Sequence, residues 1–282
     1  MIKRIGLLTS GGDCQALNAT MRGVAKSLYN MFDDVEIIGF EDGYKGLMYA
    51  DYQIMKSSDF SGILTQGGTI LGTSRQPFKL MRTPDENGLD KVEAMKHTYK
   101  KLKLSCLVVL GGNGSQKTAN MLSEEGLNVV SLPKTIDNDL NGTDHCPGFG
   151  SAARYIATTC MEVQRDTHVY DNGTITVLEI MGRHAGWLAG SAALAAWVGY
   201  GPDLIYLPEV DFDMERFLAD VHQVYQAKNK CLIAVSEGIH RADGAFIAEG
   251  VSAAANDGFG HTQLGGLAAL LADLLRQREP SA

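Results

Sequence analysis

The sequence predicts an α/β protein with mainly parallel sheets flanked by helices. Short apolar runs alternate with segments of helical periodicity, and several of those runs end in glycine- or carboxylate-rich turns. The length, 282 residues, exceeds that of a usual single domain and predicts two lobes. Residues 5–9 read as the first strand, and Leu17, Met21, Val24 and Leu28 follow at helical spacing. Further strands are expected at 35–40, 106–110, 128–132, 175–180, 204–207 and 232–236. Helices are expected at 117–124, 152–163, 187–198, 214–227 and 263–278.

Composition narrows the class of function. A net charge of −8 argues against a nucleic-acid partner or an anionic membrane surface, so an anionic ligand would need local positive groups. The five cysteines are scattered, odd in number and form no CxxC pair. That pattern speaks against a disulfide framework or a zinc site and fits a reducing, cytoplasmic compartment. Met1 leads directly into an apolar strand, and there is no basic n-region with a following h-region, so no secretory leader is expected. Residues 185–202 are uncharged and long enough to raise the question of a membrane span. Their alanine and glycine content predicts a closely packed interior helix instead.

Five stretches carry chemistry. Residues 132–144, LPKTIDNDLNGTD, place Asp137, Asp139 and Asp144 beside Lys134, Thr135 and Thr143, after an apolar run. Such a sequence suits an Asx-rich turn. It also suits a ligand site, because open α/β sheets bind ligands outside the carboxyl ends of their strands. GGNGS at 111–115 ends its own strand, and the two polar strand ends are expected to face one cleft. TSGGD at 9–13 is either a tight strand-to-helix turn or an anion cradle. In the second case Gly11 and Gly12 admit close approach to the backbone, and the hydroxyls of Thr9 and Ser10 add donors. GGTILGTSR at 67–75 ends in Arg75, whose guanidinium matches phosphate oxygens bidentately, although loop arginines commonly just meet solvent. MGRHAGW at 181–187 follows the strand at 175–180.

Together with the opening LTSGGDCQALNATMRG, these motifs stand in the order of the 6-phosphofructokinase family, which the chain resembles from residue 1 to about residue 266. The resemblance implies two Rossmann-like lobes with an active site in the cleft between them. Residues 1–142, with 256–282 returning, would form the donor-binding lobe, and 143–255 the sugar-phosphate lobe. It implies a cytoplasmic glycolytic kinase that moves a phosphoryl group from ATP to the 1-hydroxyl of fructose 6-phosphate. Magnesium would be the cofactor and a homo-oligomer, dimer or tetramer, the assembly.

Carried onto this sequence, the family motifs assign the donor to Gly11, Arg75, Gln76, Gly112, Asn113, Gly114 and Ser115. Asn113 takes the metal-facing position, where an amide is a weaker partner for a hard cation than the usual aspartate. Asp137 would be the catalytic base, since a sugar hydroxyl attacks phosphorus only when its proton has an acceptor. Lys134, Thr135 and Arg183 would complete the catalytic group. Fructose 6-phosphate would meet Thr135, Asp137, Asp139, Met181, Gly182, Arg183, Glu237 and His261. His184 is as well explained by a hydrogen-bonded or capping role.

The donor signature is mixed. Gly114 leaves room for the α-phosphate and ribose of a nucleotide, where pyrophosphate users of the family carry aspartate. Lys134 is the residue those pyrophosphate users share. ATP is favoured, because a steric block is harder to evade than an added charge. Pyrophosphate as donor is the first alternative, and a non-catalytic or truncated sugar-phosphate- or nucleotide-binding subunit is the second. Leu264 and the run Ala253, Ala254, Ala255, Asn256 stand where the simple bacterial pattern has phosphate-binding arginines. Thr174 stands where a neighbouring subunit's arginine is common. These losses predict weak sugar-phosphate affinity. Arg22 and Lys26, spaced i,i+4, fall where the family builds an effector pocket but equally form a solvated helix face.

Overall fold

A computed structural model describes residues 2–249 and 264–278. They fall into two units, one with the residues up to 136 and 140–148, the other with 137–139 and the described residues from 149 onward. In the first unit the order is β1 (Lys3–Ser10), α1 (Leu17–Met31), β2 (Val35–Phe40), α2 (Tyr44–Tyr49), β3 (Tyr52–Met55), α3 (Lys91–Lys101), β4 (Cys106–Gly111), α4 (Asn113–Glu124) and β5 (Val129–Pro133). The five strands lie in the order β3-β2-β1-β4-β5, parallel except for the antiparallel edge strand β3.

The central strands are apolar on both faces because helices cover both. Leu8, Phe40, Leu107 and Val109 pack with α2, α3 and α4, while the alternate residues Leu7, Ile37, Val108 and Leu110 pack with α1. The chain therefore leaves β1 towards one face and β4 towards the other, which opens a switch point between them. The register aligns the strand ends: Ser10 pairs with Gly111, and Gly111 with Pro133. The turns that follow β1, β4 and β5 thus begin along one edge of the sheet.

The second unit runs α5 (Phe149–Thr167), β6 (Thr174–Ile180), α6 (Trp187–Ser191), β7 (Leu204–Tyr206), α7 (Met214–Lys228), β8 (Lys230–Ser236) and α8 (Leu267–Arg278), with a parallel sheet β6-β8-β7. Every residue of β8 is buried. Tyr206, Phe212 and Phe217 pack edge-on and tilted with ring centroids 5.2–5.5 Å apart. The Asp213 carboxylate caps α7 by accepting from the Arg216 amide at 2.7 Å.

Several expectations are corrected. The described part of 256–282 does not return to the first unit: Leu267, Leu271 and Leu275 of α8 pack with Phe217, Cys231 and Ile233 in the second. The helix expected at 187–198 is one turn of α-helix followed by a 3₁₀ segment, Ala192–Val198. Leu188, Ala189 and Ser191 are buried in the α-helical turn, and Ala192 and Ala195, three apart as the 3₁₀ period requires, in the segment that follows. α2, α3 and β3 stand outside the sequence expectation. Asp90 caps α3 through the amides of Val92 and Glu93, and Val92, Met95 and Tyr99 turn inward. All five cysteines are free, four of them buried. Among the described residues no helix is long and apolar enough to cross a membrane.

Candidate functional site

In the first unit, the turns after β1, β4 and β5 converge with the loop at 66–75. The Lys134 ammonium is buried and donates to the Gly12 carbonyl at 2.6 Å. A Cβ built on Gly11 would lie 3.8 Å from that ammonium and 3.5 Å from the Ser115 hydroxyl. The Thr73 hydroxyl donates to the Gly11 carbonyl at 2.7 Å, which ties the loop carrying Arg75 and Gln76 to the same place. Gly112 is the N-cap of α4 and, as a glycine, has no side chain with which to cap that end. Asn113, Gly114 and Ser115 form its first turn, where the amides lack intrahelical partners and favour an anion.

Three side chains absent from the sequence reading hold this edge in place. Gln116 donates to the carbonyls of Gly111 at 2.9 Å and Leu132 at 3.0 Å and accepts from the Ser131 hydroxyl, so α4 is fixed to both β4 and β5. The buried Tyr44 hydroxyl donates to the Ser115 carbonyl at 2.8 Å, and burial pushes its pKa well up. Asn18 makes three bonds to the 66–75 loop. Their only sequence signal is polarity on an otherwise apolar face.

Thr9 and Arg22 both bond to loops of the first unit. Thr9 is fully buried, and its hydroxyl donates to the Gly72 carbonyl at 2.7 Å while sharing a 2.8 Å bond with the Thr69 hydroxyl. These bonds engage its hydroxyl in shaping the 66–75 loop. The Arg22 guanidinium donates to the Phe60 carbonyl and so braces that loop.

In the second unit, Asp137, Arg183 and Glu237 lie within electrostatic range of one another. Burial raises the Glu237 pKa, with Asp137 and Glu179 acting in the same direction; the Gly182 amide, donating at 3.3 Å, and the Arg183 charge oppose it. The turn Met181, Gly182, Arg183 is built tightly. Gly182 has φ +150°, and a Cβ there would meet the Ala185 carbonyl at 2.6 Å. The buried Ser236 hydroxyl donates to the Gly182 carbonyl, and a Cβ on Gly238 would run into the Arg183 carbonyl. Gly238 and Ser236 therefore fix the backbone of the turn that carries Arg183. Met181 is exposed, and the Arg183 guanidinium lies 6.0 Å from the Phe246 ring centroid. Asn138, between the two carboxylates of the TIDND run, has left-handed backbone (φ 55°) and is buried, whereas Asp139 is exposed. The His184 ring lies 6.0 Å from Phe246. Thr135, in the first unit, is buried and bridges to Gly148. The Thr174 hydroxyl accepts from the buried Lys230 at 3.3 Å. His261 and residues 253–256 lie outside the described residues.

The raised Glu237 pKa has a stability consequence. An acid whose folded pKa lies above its unfolded value contributes full stability below the unfolded pKa and loses it as pH rises through the folded one. Glu237→Gln is therefore expected to melt above the parent at pH 8, with the gap closing as pH falls towards about 4, the ordinary glutamate range. Thermal midpoints from pH 4 to 8 check this; an offset independent of pH would refute it.

Glycine turns and a buried lysine meet at the switch point of a doubly wound α/β sheet, the place where proteins of this class bind ligands. The chain belongs to the family described as Phosphofructokinase, whose sequence profile matches residues 4–279. It is 46% identical over 244 residues to the ATP-dependent 6-phosphofructokinase of Spirochaeta thermophila, covering 84% of this chain and 64% of that relative. The chain thus spans just under two thirds of that relative's length. It is 37% identical to the pyrophosphate–fructose 6-phosphate 1-phosphotransferase of Amycolatopsis methanolica, over 98% of this chain and 76% of the relative. Its fold is similar to that of the pyrophosphate-dependent phosphofructokinase of Nitrosospira multiformis, with a TM-score of 0.82 and 26% identity over 99% of this chain and 67% of that one.

Proposed function

We propose that this protein transfers a phosphoryl group from ATP to the 1-hydroxyl of fructose 6-phosphate, giving fructose 1,6-bisphosphate, as a glycolytic kinase of the cytoplasm. The observation that carries the donor half is the meeting of Gly11, Gly12, Ser115 and Lys134 at one sheet edge, with the 66–75 loop stapled to it. First-unit residues Gly11, Arg75, Gln76 and Gly112, Asn113, Gly114, Ser115 hold the donor. Lys134 and Thr135 offset charge on the transferring group. Asp137 accepts the hydroxyl proton, and Arg183 stabilises the charge that develops. Asp139, the Met181–Gly182 backbone and Glu237 orient the sugar, and His261 completes the acceptor set.

Among the described residues no three His, Cys, Asp or Glu side chains could together hold a metal ion. That donor set does not fit an all-protein cage, but it fits magnesium that keeps water and donor-phosphate ligands. Asn113, in the first turn of α4, would supply a protein oxygen, and the ion would neutralise phosphate charge.

ATP is favoured over pyrophosphate by Gly114, whose Cβ position is open, and by the naming of relatives such as that of Spirochaeta thermophila. The buried Lys134 is the specific observation behind the pyrophosphate alternative. A homo-oligomer, dimer or tetramer, is part of the same reading. Trp197 is 92% exposed, Leu194 and Val198 flank it, and Tyr155 on α5 is 73% exposed, and large exposed apolar side chains mark association surfaces. The test is a side-by-side assay with ATP and pyrophosphate, fructose 6-phosphate and magnesium, with sedimentation of the same sample. Turnover with ATP by an oligomer is expected. Turnover with pyrophosphate alone would overturn the donor assignment, and none with either donor would leave a binding subunit.

A further inference from the structure

We propose that Asn18 is a positioning residue for the phosphoryl donor, holding the 66–75 loop in its donor-ready shape before any donor arrives; this rests on reading that loop as donor-binding. Asn18 sits on the inward stripe of α1 with Met21 and Ala25, and it is fully buried. Its carboxamide donates to the carbonyls of Gln66 at 3.1 Å and Gly67 at 3.2 Å and accepts from the Ile70 amide at 2.9 Å. A carboxamide offers two N–H donors and an acceptor oxygen, and here each side of it is used on backbone groups of one loop. That stretch contains neither helix nor strand, so its carbonyls and amides depend on such partners.

Apart from the bond between the Thr9 and Thr69 hydroxyls, other staples lie further along the same loop. The Thr9 hydroxyl takes Gly72, the Thr73 hydroxyl takes Gly11, the Ser74 hydroxyl takes the Asp42 carbonyl, and the Asp42 amide donates to Leu71. These four bonds secure residues 71–74. Asn18 secures 66–70, the end that leads into them from the 3₁₀ turn at Ile63–Thr65. Without it the Gly67–Gly68 pair is free to sample other conformations, and the donor must order the loop as it binds. Such an ordering cost weakens donor binding in ground and transition states alike, so it appears in KM rather than in kcat.

The test compares Asn18→Ala with Met21→Ala, a buried neighbour on α1 that packs in the apolar core. Both are expected to lower the melting temperature. Only Asn18→Ala is expected to raise the donor KM, by about tenfold, with kcat and the fructose 6-phosphate KM within about twofold of the parent. Amide exchange across 66–70 is expected to speed up in Asn18→Ala and not in Met21→Ala. Asn18→Ser, which retains one hydroxyl donor, is expected to fall between and guards against an alanine variant that fails to fold. Unchanged exchange across 66–70, or equal donor KM changes in the two alanine variants, would overturn the proposal. The exchange arm needs no turnover, so a parent inactive with both donors would sink the kinase reading while the ordering of the loop by Asn18 is still measured.

Discussion

Asp137→Ala is expected to lower kcat about 10²–10⁴-fold, the usual contribution of a positioned general base. At about 1.36 kcal/mol per factor of ten, that corresponds to roughly 2.7–5.4 kcal/mol of transition-state stabilisation. The KM values for donor and sugar phosphate should move only a few-fold, because the proton acceptor acts as the oxygen–phosphorus bond forms. Asp137 belongs to the same neighbourhood as Arg183 and Glu237, so removing its charge also eases the pressure on Glu237. Glu237 in Asp137→Ala should therefore titrate lower than in the parent, a shift that a ¹³C-carboxyl NMR titration reads directly. Asp137→Asn serves as the shape-preserving comparison and should lose turnover to the same extent. A variant that kept more than a tenth of the parent rate would remove Asp137 from the chemistry.

The parts of this molecule that follow a period were legible in the sequence. The strand expected at 35–40 is β2 without adjustment, and β4 and β8 differ from expectation only at their ends. Glycine-rich turns after β1 and β4 announce where the chain leaves the sheet, because only a few residue types allow it to turn there. Specific partners were not legible. The stripe Leu267, Leu271, Leu275 shows that α8 has an apolar face but carries no information about which sheet receives it. Thr9 looks like a ligand donor in a TSGGD turn, yet in the fold a carbonyl of a loop 63 residues away claims its hydroxyl. Asn18, Gln116 and Ser236 were missed for the same reason: an inward-turned polar side chain is recognisable only once its backbone partner is in place. α3 escaped because its lysines mask a short inward face that only the Asp90 cap betrays.

Gly114→Asp is expected to reduce kcat/KM for ATP by at least about 100-fold, roughly 2.7 kcal/mol, while leaving use of pyrophosphate within about tenfold. The fold itself does not require glycine here. A Cβ at position 114 would meet nothing within 4 Å, and its backbone shows no left-handed φ. Gly111, three residues earlier, is different: a Cβ there would collide with the Ser115 side chain. Glycine inside a helix costs about 0.5–1 kcal/mol relative to alanine, and Gly114 lies in the first turn of α4. Aspartate in that turn also suits the helix dipole, by about 0.3–1 kcal/mol. The substitution should therefore leave the melting temperature unchanged or raise it, which separates lost ATP use from lost folding. What the carboxylate would occupy is the space that a nucleotide's α-phosphate and ribose need, and it would set like charges against each other there. Pyrophosphate has neither of those groups to accommodate, and it would still find Lys134 and the Gly11–Gly12 turn in place. Gly114→Ala separates the two parts of the effect: a methyl group adds bulk without charge, so ATP use should fall by less than with aspartate. If Gly114→Asp folded normally and kept ATP turnover within a few-fold of the parent, the space beside the first turn of α4 would not be where the nucleotide sits.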